Sequence, residues 1–92
     1  MAVNAPHNLY FTPAGRYALV MAEALRRIDV RDAHTMKLVR SLPIPCAGIN
    51  HADYTTDLAT LLVSCEFSGK LAVVDADATR VITMFNLNTV TT

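Results

Sequence analysis

Slid along itself by 43 positions without a gap, the chain superposes Leu19 on Leu62, Val20 on Val63, Glu23 on Glu66, Val30 on Val73 and Asp32 on Asp75. Thr12/Thr55 and Ala33/Ala76 also match, and Phe11/Tyr54, Ile28/Leu71, Arg27/Lys70 and Lys37/Arg80 are conservative pairs. The matches run through the whole unit, so one module is present twice, over about residues 6–45 and 49–88. A repeat of this length marks architectures in which each unit leaves an apolar face that only a neighbour can cover. Residues 1–92 are expected to form a single domain made of the two units.

Within each unit the apolar pattern reads as four short strands. In the first they cover about 8–12, 17–22, 27–31 and 37–42; in the second, about 52–55, 60–65, 70–74 and 80–85. The clearest stretch is LLVSCEFSGKLAVVD, residues 61–75, two apolar runs joined by Glu-Phe-Ser-Gly, which reads as a hairpin. Pro13-Ala14-Gly15-Arg16 supplies a tight turn in the first unit. Its counterpart Thr56-Asp57-Leu58-Ala59 lacks the glycine, so a looser turn is expected there. Asp32 and Asp75 stand where a carboxylate can accept backbone N–H bonds inside the next turn. Pro43, Pro45 and Gly48 punctuate the passage between units.

The second strands are apolar on both alternating faces, as in Tyr17, Leu19 and Met21 against Ala18, Val20 and Ala22. A strand buried on both faces needs cover on both, and no segment has a helical period. Other four-stranded sheets must provide that cover, which is the arrangement of propeller blades. The fold class expected is therefore all-β, two four-stranded antiparallel β-propeller blades. The third strands differ: Leu71–Val74 is apolar throughout, whereas Ile28 and Val30 alternate with Arg27, Asp29 and Arg31.

Charge excludes some partners. Eight basic and eight acidic residues cancel, and a nucleic-acid or anionic-membrane surface normally needs a basic stripe. Arg26, Arg27 and Arg31 form a small cluster that reads as solvated strand ends. Hydrophobic residues make up 52%, more than so short a chain can hide, yet no apolar run approaches a membrane span of about 18 residues. Met1–Pro6 carries no signal-peptide pattern, so the chain as written is expected to be cytoplasmic. Cys46 and Cys65 hold unrelated places in the repeat, opposite Val3 and Ala22. Buried free thiols are expected, with a Cys46–Cys65 bridge as the open alternative.

Phe11-Thr12-Pro13-Ala14-Gly15-Arg16-Tyr17 and its apolar run, then Ile28-Asp29-Val30-Arg31-Asp32 and Thr35-Met36-Lys37-Leu38-Val39, resemble one blade of the YVTN-repeat β-propellers. Tyr54-Thr55 through Val73-Val74-Asp75 and Arg80-Val81-Ile82 resemble the next. The departures are Ala14, where that family usually has Asp, and Leu58, where it has Gly. The resemblance implies a scaffold of blades in a ring, and relatives that are often exported. Propellers close with roughly four to eight blades, so two blades imply either a homo-oligomer joined head to tail or missing blades of a longer chain. Three copies would give six blades and four would give eight.

In such a topology the loops leading into the innermost strands and those between second and third strands share one face. His7 and Asn8 precede the first inner strand, Asn50 and His51 the second, and Asp53 follows. Glu23 and Glu66 close the second strands on the same side. These side chains form either the rim of a ligand site or a set of hydrogen-bonding groups that satisfy loop backbone. His7 and His51 are the candidate metal ligands, because imidazole and carboxylate suit first-row metals. The resemblance extends to haem-binding nitrite reductases and nitrous oxide reductase, which implies a transition-metal or haem-type cofactor with an oxidoreductase role as the alternative function. The principal expectation is a non-catalytic binding module with no cofactor. His34 is expected on a surface turn, Cys65 as a small core residue, and the aromatic residues, Phe67 included, as packing.

Overall fold

The computed structural model describes residues 9–87. Its eight strands are β1 (Leu9–Phe11), β2 (Tyr17–Ala22), β3 (Arg27–Asp32), β4 (Leu38–Pro43), β5 (Ile49–Tyr54), β6 (Thr60–Cys65), β7 (Lys70–Asp75) and β8 (Val81–Asn86). They form two four-stranded antiparallel sheets in the orders β1-β2-β3-β4 and β5-β6-β7-β8. The chain is all-β, two propeller-type blades, as its pattern predicts.

The repeat extends to register. Tyr17 pairs with Asp32 as Thr60 pairs with Asp75, and Leu19 with Val30 as Leu62 with Val73. Each outer strand pair slips at the same point, between Val30 and Arg31 and between Val73 and Val74. A bulge kept at one place in both units twists each outer strand alike, which lets one blade stack on another.

The blades meet through opposite faces. Leu19, Met21, Ile28 and Val30 of the first blade share one buried cluster with Leu61, Val63, Cys65, Ala72 and Val74 of the second. Fully burying such a side chain contributes about 1.5–3 kcal/mol, so this seam holds the two sheets together. Its edges are polar. Ala52 N–H donates to Tyr10 Oη across 3.2 Å, and the Arg40 guanidinium donates to the carbonyls of Asp77 and Ala78. The Arg40 guanidinium carbon also lies 5.2 Å from the centre of the Tyr17 ring, a cation–π contact.

Only one face of each central hairpin is covered by the other blade. Val20 and Leu62, on the far faces of β2 and β6, are half-buried rather than buried. The two-sided apolar pattern is real, but two blades offer each sheet a single neighbour.

The turns correct one expectation and bear out another. Leu58 adopts a left-handed conformation, φ 60°, as Gly15 does at φ 74°. Leu58 N–H bonds to Thr55 O at 2.8 Å, the same length as Gly15 N–H to Thr12 O. The second turn is therefore as tight as the first. Asp57 makes this workable, because its Oδ1 accepts from Thr55 Oγ1 at 2.6 Å and Ala59 N–H at 3.0 Å. Asp32 Oδ1 accepts from the N–H groups of His34 and Thr35, and Asp75 Oδ1 from those of Thr79 and Arg80. His34 is exposed on its turn.

The cysteines are bridged. Cys46 and Cys65 form a disulfide with Cα atoms 5.9 Å apart, inside the usual range, so neither is the free thiol expected. Cys46 lies in the connection between blades and Cys65 ends β6. The repeat could not reveal this, because the bridge joins a connector to a strand and not two equivalent places.

Candidate functional site

The site is built on the connection from β4 to β5. Pro43 and Pro45 stiffen this segment, and hydrogen bonds tie it to a hairpin tip on either side. Ile44 N–H donates to Arg26 O at 2.9 Å on the first blade. On the second blade Ala47 N–H donates to Ser68 Oγ at 2.6 Å, and Glu66 N–H to Gly48 O at 2.9 Å. The Cys46–Cys65 disulfide adds a covalent tie to the second blade. A connector held this way is a rigid floor.

Above it opens a cleft of about 380 Å³, lined by Glu23, Ala24, Arg26, Ala47, Gly48 and Phe67. Glu23 begins a single 3-10 turn, Glu23–Leu25, and Arg26 follows in left-handed conformation at φ 54°. They place a carboxylate and a guanidinium on the first-blade wall. The second-blade wall is Phe67, which is 75% exposed at the tip of the β6–β7 hairpin. Gly48 lies directly beneath that ring. A Cβ there would stand 2.7 Å from Phe67 Cδ2 and 2.8 Å from the Phe67 nitrogen, and its φ is +78°. Both the space and the backbone angle demand glycine. Phe67 is therefore held against the floor by backbone contact while its ring faces solvent.

Of the residues singled out in the sequence, Glu23 lines this cleft. Glu66 is exposed and precedes Phe67 in the same hairpin tip. His51 is exposed on β5, where the register of β5 against β6 shifts between Ile49 and Ala52. There its N–H meets Ser64 Oγ at 3.3 Å. Asp53 is exposed and pairs with Leu62 across the same strands. Asn50 belongs to β5, but its side chain lies outside the described residues, as do His7 and Asn8. Among the described residues no three His, Cys, Asp or Glu side chains come together as a metal-ligand group. Those described do not form a donor set that fits a metal.

Arg26, Gly48 and Phe67 were missed as site residues. The expectation that Phe67 packs inside does not hold. Tyr10, Tyr17 and Tyr54 do pack against the core, because they alternate on strands. Phe67 falls on a turn, opposite Ala24 in the repeat, and that placement was the available signal. Tyr54 shows the reverse case: burial and then the nearby Asp77 and Asp75 carboxylates push its pKa up to about 12. Its hydroxyl donates to Ala76 O at 2.8 Å.

No protein-family model matches this chain, and no curated protein sequence does. Solved structures do. Hydrazine synthase of Kuenenia stuttgartiensis superposes with a TM-score of 0.74 at 20% identity, over 91% of this chain and 24% of that one. A eukaryotic initiation factor superposes at 0.57 with 24% identity, over 92% of this chain and 23% of its own. The chain thus spans about a quarter of the length of these neighbours. At these identities the likeness establishes the fold, a pair of β-propeller-like blades. Among the described residues no helix is long and apolar enough to cross a membrane.

Proposed function

We propose that this blade pair is a non-catalytic binding scaffold that joins further blades in a ring and receives a peptide-sized ligand in the junction cleft. The observation that carries the reading is the exposed Phe67 ring, fixed over Gly48 and facing Glu23 and Arg26 across a rigid floor. An exposed aromatic anchor beside opposite charges suits a peptide segment with one apolar side chain and polar flanks. The volume falls within the range of small-ligand sites, roughly 300–1,000 Å³. The disulfide supports folding in an oxidising compartment, where such bridges form and persist.

The test is an NMR titration of the labelled chain with a library of short capped peptides, each carrying one aromatic or branched apolar residue. Binding should move the amide signals of Ala24, Arg26, Gly48 and Phe67, and Phe67→Ser should weaken it at least tenfold. Peptides that bind equally well to Phe67→Ser would overturn the reading.

A further inference from the structure

The two blades leave two faces open, and the repeat says what each face is built to meet. On the first blade, Leu9, Phe11 and Leu38 are 49%, 55% and 51% exposed. Their repeat counterparts in the second blade are Ala52, Tyr54 and Val81. Those three are covered: Ala52 belongs to the buried cluster, and Tyr54 and Val81 pack against it. The three apolar side chains left open on blade one therefore stand at the positions blade one itself covers on blade two.

The second blade mirrors this. Leu62, Leu71, Val73 and Phe85 are half-buried or exposed. Their counterparts Leu19, Ile28 and Val30 are fully buried in the seam, and Leu42 packs against it. Each open face is thus the unoccupied half of an interface whose other half is already made inside the chain. From the second strand to the fourth, register and bulge position are the same in both blades, so these backbone surfaces match as well as the side chains.

We infer that a second copy of this chain docks head to tail, its second blade covering the open face of the first blade, in continuation of the internal seam. The inference rests on the scaffold reading and names the partner that extends it. Heterologous contacts of this kind close into rings when the rotation allows.

The contact between copies is the weaker of the two. At the positions of Tyr10 and Arg40, which bond across the internal seam, the open face carries Asp53 and Thr83, and neither reaches as far. Opposite them the open face of blade one keeps Arg27, Asp29, Arg31 and Ser41 where the covered face of blade two has Lys70, Ala72, Val74 and Met84. Arg31 Nη1 donates to Met36 O at 2.9 Å. Asp29 already accepts from Arg27 Nε and Ser41 Oγ, each at 2.8 Å. These groups enter the contact with partners in place, which lowers the cost of covering them. Association is therefore reversible and concentration-dependent.

Light scattering on the separated chain, from micromolar to submillimolar concentration, tests this. Wild type should rise to the mass of three or four chains, enough for six or eight blades. Leu38→Asp on one face, or Phe85→Asp on the other, should hold the particle at one chain with an unchanged far-ultraviolet dichroism spectrum. Val73→Lys serves as a second lesion on the Phe85 face. The decisive sample mixes Leu38→Asp with Phe85→Asp, which retain one intact face each on different molecules and should form a particle of two chains. A wild type that stays at one chain throughout overturns the inference, and so does a mixture that stays at one chain while wild type associates. The junction cleft lies within one chain, so peptide binding by the Phe85→Asp variant keeps the scaffold reading alive if association fails. Loss of peptide binding in turn leaves the mass result intact.

Discussion

At two of their three turns the blades place a left-handed residue at the same point and fill it in opposite ways. In the turn between first and second strands, blade one has Gly15 and blade two has Leu58. In the turn between second and third strands, blade one has Arg26 and blade two has Gly69. At these two turns each blade has one glycine, and not at the same position; at the third turn Met36 and Ala78 are left-handed one residue apart in the repeat. Backbone conformation and strand register are thus shared more faithfully than side chains. What differs is concentrated on the two faces and at the junction. Blade two is covered where blade one is open, and blade two alone is stapled to the connector.

The staple is the largest difference and the first one to remove. Replacing both Cys46 and Cys65 with alanine opens a loop with a sequence separation of 19 residues. The chain-entropy account puts the cost near 3 kcal/mol. Both cysteines also belong to the buried cluster, so lost packing adds to this cost. The urea midpoint should fall accordingly. Hydrogen exchange then sharpens the comparison: protection should drop at Glu66 and Ile49, next to the bridge, before it drops at Leu19 and Val30. An equal drop in both blades would show that the bridge holds the whole seam rather than the junction.

Asp75 and Asp32 give the next contrast. Burial alone would raise the pKa of Asp75, but N–H bonds from Arg80 and Thr79 and the Thr79 hydroxyl outweigh it and hold the carboxyl below its ordinary value. Asp32 is also held low, first by the Thr35 N–H and then by that of His34. Because both folded-state values are depressed, the stabilisation is complete above the unfolded-state value of about 4. It is lost as pH falls through the lower folded-state values. Asp75→Ala should cost about 1–2 kcal/mol at neutral pH, and Asp32→Ala less, since its turn is more exposed. Once the pH has fallen below the lowered folded-state value, the Asp75 variant and wild type should converge in thermal unfolding. A gap that persists there would assign the effect to turn geometry and not to the charge.

Most of the fold could be read from the chain because a repeat constrains it twice. The alternation of β2 and β6, the carboxylates of Asp32 and Asp75 and the strand boundaries follow from local chemistry that each unit states independently. The cleft was only partly legible. Glu23 could be placed at the rim, since it recurs as Glu66. Phe67, Gly48 and Cys46 belong to features present once, so comparison within the chain gave them no weight. Gly48 in particular requires a ring lying over it, 19 residues further along. Nothing in its immediate neighbourhood states that.

The smallest effect tests the premise that the two blades share one backbone. If Leu58 is held at φ 60° only because the repeat demands it, it carries the left-handed penalty of an L-residue, about 1–2 kcal/mol. Glycine would remove that penalty and lose about 0.5–1 kcal/mol through its freer unfolded chain. Leu58→Gly should therefore stabilise by about 0.5 kcal/mol, and Gly15→Leu should destabilise by a similar amount. Nothing lies within 4 Å of a Cβ added at Gly15, so the second change reports backbone strain and not crowding. The double variant, with the two residues exchanged, should unfold close to wild type, because sites in different blades with no shared partner add independently. If Leu58→Gly is neutral or destabilising, the Asp57 bonds to Thr55 and Ala59 already select the left-handed turn. The two turns would then share a shape and differ in what holds it.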